Sequence, residues 1–379
     1  MAVSFHQPPK RILVRGVNWL GDAVMTTPAL IRLREKFPDA HIALLTPEKL
    51  RELYQPHPAV NETVGFEPEE GLLSVSRKLR SGKFDLALVL PNSPRSALEV
   101  WLAGIPQRIG YARPWRNWLL TQVVATRPGH VKMQKRTPEE IRRLVQSAGA
   151  KSEIRKPIPE TGHQLHEYLQ LVGALGATSA ILPPQLHVSD EAVQAVATRF
   201  QLDPHTCWLG INPGAEYGPA KRWPVENFQF MAREAAAWPG WGVLLFGGNA
   251  DVAAVGRIEQ EFRSVARQWA TPPKLVNLAG RTSLRELMAL LKLCRGLLTN
   301  DTGPMHIAAA LGTPVVVPFG STSPELTGPG LPGDPRHRLL KSDAPCSPCF
   351  LRECPIDFRC MKGITVERLT AAALDVFRH

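Results

Sequence analysis

The sequence predicts an α/β chain built as two halves, each a parallel sheet with helices on both faces. Three observations predict it. Strand-like apolar runs alternate with helical stretches along both halves. A glycine-marked loop follows several of the strands in each half. A pause at residues 177–184, where Pro183 and Pro184 adjoin, separates the two series. The 379 residues are 44% hydrophobic, enough for two cores of ordinary domain size.

The first half opens with residues 11–28, RILVRGVNWLGDAVMTTP. Ile12, Leu13 and Val14 suit one buried strand, Gly16 breaks it, and Gly21 opens a helix carrying Ala23, Val24 and Met25. Strand, glycine turn and helix start are the parts of a phosphate-binding loop. A P-loop, however, needs Lys and then Ser or Thr after that glycine, and here stand Asp22 and Ala23. The dinucleotide pattern G-x-G-x-x-G fails as well, with Asn18 in place of its second glycine. Two readings of Asp22 stand side by side. It is a helix-capping carboxylate, or it is an ionised carboxylate at a helix N-terminus, facing a cleft and placed to take a proton from a substrate hydroxyl.

Residues 42–45 read as the second strand and 84–90, FDLALVL, as another, ending at Pro91 and Asn92. A helix is expected from Pro94 to before Gly104. In such sheets ligands bind at the carboxyl ends of the strands, where residues 16–22 and 91–95 both lie. Residues 108–135 interleave Arg108, Arg113, Arg116, Arg127, Lys132 and Lys135 with Tyr111, Trp115 and Trp118. That mixture suits a phosphorylated, partly apolar acceptor or a membrane surface, and equally a solvated basic loop. Residues 163–175 predict an amphipathic helix, with Leu165, Tyr168, Leu169, Val172 and Leu175 at helical spacing and His166 as a solvated or packed histidine.

In the second half, residues 208–211 read as a strand followed by the loop 212–223, NPGAEYGPAKRW. Residues 228–237 are helical and 243–246 a strand running into Gly247, Gly248 and Asn249. Residues 284–293 form a helix and 296–299 a short strand. NDTGPM at 300–305 leads into His306 and a helix to Leu311, and 315–317 close the series. Backbone N–H groups at the start of that helix, with the Thr302 hydroxyl, suit a diphosphate. Lys221 adds a compact positive charge. Asp301 as a mere cap and Lys221 as a mere surface lysine are the plain alternatives. No D-x-D triplet occurs. Cationic side chains and a helix dipole are therefore expected to stabilise a departing diphosphate in place of a metal ion.

The formal charge of +11 and pI of about 9.6 favour anionic partners. No long Lys/Arg block, helix-turn-helix or zinc-finger pattern is present, which argues against nucleic acid. No apolar run reaches the roughly 18 residues of a membrane span, and the opening MAVSFHQPPKR lacks a secretory apolar core, so cytoplasmic residence is expected. Cys207 and Cys294 are expected to be buried thiols. Cys346, Cys349, Cys354 and Cys360 cluster as C-x2-C-x4-C-x5-C. In a cytoplasmic chain this reads as a metal site before disulfides. Against it, the gaps are not those of a zinc ribbon, and Pro345, Pro348 and Pro355 suit a tight loop without an ion.

Five stretches carry a family resemblance: ILVRGVNWLGDAVMTTPAL, LVLPNSPRSALEVWLAGIPQRIGY, INPGAEYGPAKRWPVENF, LAGRTSLRELMALL and LLTNDTGPMHIAAALGTPVVVPFGSTSP. They span about residues 11–324 and resemble the bacterial lipopolysaccharide heptosyltransferases, glycosyltransferase family nine. The W-x-G-D form at Trp19 to Asp22 resembles the heptosyltransferase II branch, where the first branch usually has S-x-G-D. The resemblance implies a GT-B fold, two Rossmann-like domains facing each other across a cleft. The expected divisions are an acceptor-binding domain at 1–182, a nucleotide-sugar domain at 183–345, and a Cys-rich loop and helix at 346–379. In GT-B proteins such a final helix often returns to the first domain.

The resemblance further implies ADP-heptose as donor, a heptosylated Kdo-lipid A acceptor at the cytoplasmic face of the inner membrane, and inversion without metal or cofactor. By position it puts the catalytic carboxylate on Asp22 and the phosphate-binding lysine on Lys221. The D-[ST]-G-x-x-H loop falls on Asp301, Thr302, Gly303 and His306. Donor nucleoside contacts fall near Gly248, Asn249, Asp251 and Thr282. Separately from the resemblance, acceptor contacts are expected on Asn18, Trp19, Asn92, Arg95 and Arg113. Alternatives are another family member with a different donor or acceptor, such as heptosyltransferase I, and a non-catalytic nucleotide- or lipid A-binding protein. An NAD-dependent enzyme is weakened by the missing G-x-G-x-x-G.

Overall fold

The computed structural model describes residues 7–55, 57–147, 158–266 and 273–377. The first six residues of the opening stretch lie outside these. The chain forms two compact units, one of Met1–His130 with Thr161–His187 and one of Val131–Glu160 with Val188–His379. The units therefore do not follow the expected linear divisions. The first runs on to His187, and the strip after His130 belongs to the second, where the Arg136 N–H donates to the Cys349 carbonyl at 3.0 Å and Ile141 packs on Cys346 and Cys349.

The first unit holds strands β1 (Arg11–Arg15), β2 (His41–Pro47), β3 (Glu62–Phe66), β4 (Leu86–Val89), β5 (Gln107–Tyr111) and β6 (Gln122–Val124). They lie in the order β3-β2-β1-β4-β5-β6, all parallel. Ile12, Leu13 and Val14 are fully buried because β1 is central, with Ile12 opposite both Ile42 and Leu86. The second unit holds β7 (Cys207–Asn212), β8 (Trp241–Leu245), β9 (Lys274–Asn277), β10 (Gly296–Thr299), β11 (Val315–Phe319) and β12 (Arg338–Lys341). Their order is β12-β11-β10-β7-β8-β9, again all parallel. Both sheets therefore have doubly wound, Rossmann-like order. Strand order reverses beside β1 and β4 in one unit, and beside β7 and β10 in the other. Ligand crevices belong at the carboxyl ends of those strand pairs.

The loop after β1 is held close to the sheet. The Gly16 N–H donates to the Leu45 carbonyl at 2.9 Å, and a Cβ there would meet that oxygen at 3.0 Å. After β4 the helix Pro94–Leu102 begins with Pro at N1 and Ser93 as N-cap, whose hydroxyl accepts the Ser96 N–H at 3.2 Å. The helix Leu165–Gly173 confirms the amphipathic reading. Two expectations are corrected. The last helix, Val366–Phe377, packs into the second unit's own core, with Leu369, Ala373 and Phe377 buried beside Leu209 and Ile211. Cys207 is exposed because it is the first residue of β7, at the strand's open end, whereas Cys294 is buried as expected.

Candidate active site

In the first unit the loop after β1 runs into the helix Leu20–Met25, with Trp19 as N-cap and Asp22 in the first turn. The half-buried Asp22 lines a cavity of about 230 Å³ together with Asn18, Trp19 and Asn92. Val17, Leu90 and Pro91 add to the lining, and the other walls come from residues that the sequence reading did not select for the site: Tyr111, Gln164, Glu167 and Tyr168. Gln164 Nε2 donates to Asp22 Oδ1 at 3.2 Å and to Tyr168 Oη at 2.8 Å. Burial, then the Asp22 charge, pushes the Tyr168 hydroxyl well above its usual range, so it stays a neutral donor. Gln164, Glu167 and Tyr168 share one face at the start of the helix Leu165–Gly173. Polar residues three and four apart at the opening of an otherwise apolar helix were the available signal.

The loop's rigidity has a buried source. Arg15 Nε donates to Glu99 Oε2 at 2.8 Å, with the two side chains 3% and 0% exposed. Arg15 Nη1 donates to the Gly16 carbonyl at 2.6 Å and to Asn18 Oδ1 at 2.9 Å. Arg95 and Arg113 are not among the cavity's walls. Arg95 Nε donates to Glu99 Oε1 at 3.1 Å and its Nη2 to the Glu70 carbonyl at 2.7 Å. Arg113 Nη1 donates to the Ala112 carbonyl at 2.8 Å and Thr126 Oγ1 at 3.0 Å.

In the second unit the two loops at the reversal point are tied together. Asn300 Oδ1 accepts the Trp223 N–H at 3.0 Å, and its Nδ2 donates to the Pro213 carbonyl at 2.7 Å. Lys221 Nζ pairs with Asp301 Oδ2 at 2.7 Å, and the Thr322 hydroxyl donates to the same oxygen at 2.5 Å. Lys221 is therefore aimed by a buried carboxylate. The N-cap of the helix Gly303–Ala310 is Thr302, not Asp301. Its side chain makes no capping bond to that helix, and His306 is buried one turn on.

The Cys-rich loop braces this lysine. Gly218, at φ 151°, lies against the Arg352 carbonyl, which a Cβ would approach to 2.6 Å. The same carbonyl accepts the Ala220 N–H at 2.9 Å, and Tyr217 Oη donates to the Phe350 carbonyl at 2.7 Å. Lys221 Nζ and the Arg352 guanidinium both stand over the Tyr217 ring, at 4.9 and 5.2 Å. All six cysteines are free. Burial, then the neighbouring Cys346, Cys349 and Cys354, pushes the Cys360 thiol up to about 12. Among the described residues, no group of three or more His, Cys, Asp and Glu side chains is placed to hold a metal ion.

Of the four nucleoside candidates, Asp251 lines a cavity of about 330 Å³ with Arg222, Trp223 and Arg257. Its Oδ2 accepts the Gly248 N–H at 3.1 Å. Gly248, Asn249 and Thr282 do not line that cavity. The loops that carry them are joined by the Gly280 N–H donating to the Gly247 carbonyl at 2.9 Å. Among the described residues, no helix is long and apolar enough to cross a membrane.

Comparison with known proteins bears out the resemblance. The model of glycosyltransferase family 9 (heptosyltransferase) matches residues 72–358. Lipopolysaccharide heptosyltransferase 2 of Escherichia coli K12 is 33% identical over 325 residues, covering 84% of this chain and 85% of that protein. The solved structure of E. coli ADP-heptose LPS heptosyltransferase II superposes with a TM-score of 0.74 at 29% identity, covering 97% of this chain and 98% of the other. A family 9 glycosyltransferase from Veillonella parvula shares the fold, with a TM-score of 0.76 at 23% identity, over 100% and 99% of the two chains. The two Rossmann-like units are thus those of the GT-B heptosyltransferases, and the chain belongs to glycosyltransferase family 9 and is a glycosyltransferase.

Proposed function

We propose that this glycosyltransferase moves L-glycero-D-manno-heptose from ADP-heptose to the heptosylated Kdo-lipid A inner core of lipopolysaccharide. The observation that carries the reading is the 33% identity, over 84% of the chain, to a lipopolysaccharide heptosyltransferase 2. Asp22 takes the proton of an acceptor hydroxyl. That oxygen attacks the anomeric carbon from the face opposite ADP, the glycosidic bond to phosphate breaks, and the configuration inverts. Lys221 and the N-terminus of the helix Gly303–Ala310 stabilise the departing diphosphate. Its pairing with Asp301 supports this role for Lys221, because an ammonium held in place needs little reorganisation as charge develops. Asn18, Trp19 and Asn92 contact the acceptor, and Asp251 the nucleoside.

Incubating the protein with ADP-heptose and defined truncated lipopolysaccharides tests the reading. Mass spectrometry should show one added heptose on the singly heptosylated acceptor. Addition only to the acceptor without heptose would assign the first heptosyltransferase step, and no addition to either would remove the reading.

We place the enzyme on the cytoplasmic face of the inner membrane as a peripheral protein. Support comes from the first unit, where Trp101, Trp115 and Trp118 are 42%, 85% and 69% exposed. The rings of Trp101 and Trp118 meet edge to face at 6.0 Å. Binding to vesicles with anionic lipid should fall as salt rises from about 0.05 to 0.5 M; salt-independent binding would oppose an electrostatic contribution.

A further inference from the structure

The cavity beside Asp22 carries a second carboxylate, that of Glu167. Its side chain is 13% exposed and its charge is met from behind by two basic groups. His130 Nδ1 bonds to Oε1, and Arg127 Nε stands 3.8 Å from the same oxygen. The backbone beneath is fixed too, since Tyr111 Oη donates to the Glu167 carbonyl at 2.7 Å. Both of these contacts are made at Oε1, and among the described residues Oε2 takes no hydrogen bond. From the start of the same helix Gln164 Nε2 donates to Asp22 Oδ1 at 3.2 Å, so both carboxylates are tied to this segment.

We propose that Glu167 binds the acceptor sugar, its free oxygen accepting a hydrogen bond from a hydroxyl next to the one that reacts. The proposal rests on the reading that Asp22 deprotonates an acceptor hydroxyl. A sugar presents neighbouring O–H donors, and an O–H to carboxylate bond is short and stronger than one to a neutral acceptor. A cavity of about 230 Å³ has room for roughly one sugar ring. Grasped by Glu167 on one side, that ring has an adjacent hydroxyl turned towards Asp22. The two carboxylates then divide the work. Glu167, held by His130 and Arg127, grips the substrate, and Asp22 receives the proton. No bond is made or broken at Glu167, so its loss acts on acceptor affinity first.

Steady-state transfer by Glu167→Gln, with ADP-heptose saturating and the acceptor varied, tests this. KM for the acceptor should rise at least tenfold, with kcat falling less than threefold and the acid limb of the pH–rate profile in place. Affinity for ADP-heptose, measured by titration calorimetry, should be unchanged. Glu167→Asp, which keeps the charge but withdraws it by one methylene, should lie between Glu167→Gln and the parent, and it serves if the amide variant folds poorly. His130→Gln leaves the carboxylate in place and should raise KM less than Glu167→Gln does. An unchanged acceptor KM in both Glu167 variants overturns the assignment. So does a loss of kcat at constant KM with a displaced acid limb, which would make Glu167 the base. Failure of the parent protein to transfer heptose would overturn the underlying transferase reading, a result distinct from either.

Discussion

Lys221 Nζ lies 2.7 Å from Asp301 Oδ2, and the two side chains are only 14% and 5% exposed. This contact joins the loop after β7 to the loop after β10, where a doubly wound sheet binds its ligand. An ammonium has three N–H donors, so one bond to Asp301 leaves two for phosphate oxygens.

The pair should be costly to break from one side. Lys221→Met leaves the Asp301 carboxylate buried without its cation and should lower stability to urea by about 3–5 kcal/mol. The variant should also weaken ADP binding. Asp301→Asn in the Lys221→Met background should restore part of the lost stability, because no charge then remains buried. Strictly additive losses in the double variant would show that the contact carries no coupling.

Asp22→Asn tests the proposed base directly. The amide keeps the size of the side chain and its contact with Gln164, and it removes the proton acceptor. Transfer should fall by about 10²–10⁴-fold, with ADP-heptose still bound at the parent's affinity in titration calorimetry. Near-normal turnover would strip Asp22 of the role.

Glu99 holds the same loop from beneath. It is fully buried and binds both Arg15 and Arg95. Glu99→Ala leaves the buried Arg15 guanidinium unpaired and should cost about 3–5 kcal/mol in urea unfolding. Arg15 also fixes Gly16 and Asn18, so transfer should fall even where the variant is fully folded. A stable variant with full activity would show that the loop holds its shape without this anchor.

How much of this was legible in the sequence follows from burial. Central strands announce themselves, because β1, β4 and β11 are shut off from water and read as apolar runs. All four sheet edges escape that reading. β3 (ETVGF), β9 (KLVN) and β12 (RLLK) mix charged ends with half-buried residues, and β6 (QVV) has only three residues. β5 hides for a similar reason, opening on Gln107 and Arg108. The site divides in the same way. Asp22 and Lys221 stand in glycine-marked loops after strong strands, where local pattern suffices. Gln164 reaches Asp22 across 142 residues of chain, and Glu167 depends on His130 and Arg127, a relation that no local spacing encodes. Asp301 was visible as a residue, but its partnership with Lys221 was not. Arg95 and Arg113 look like ligand-binding cations in sequence; what the sequence does not show is that Arg95 bonds Glu99 and the Glu70 carbonyl, and Arg113 the Ala112 carbonyl and Thr126.

Two of the buried histidines, His57 in the first unit and His337 in the second, should make the protein acid-labile. Burial, then His187, pushes His57 down to about 4. Burial does the same to His337, down to about 4, against the opposing pull of Asp334. The geometry supplies a reason. His57 Nδ1 accepts the Ala59 N–H, and His337 Nδ1 accepts the Val315 N–H, each at 3.3 Å. A proton on either nitrogen would set one N–H against another. In the unfolded chain both imidazoles titrate near the ordinary value of about 6.5. Between that pH and about 4 the unfolded state binds more protons, so stability falls as pH falls, by up to about 3 kcal/mol for each histidine. The contribution is fully present above pH 6.5, and its slope ends below about 4. His57→Asn and His337→Asn keep an acceptor near the Nδ1 position without the titration. Urea unfolding at pH 7.0, 6.0 and 5.0 should show a flatter pH dependence in the double variant than in the parent. Parallel curves would mean that neither buried imidazole resists protonation in the fold.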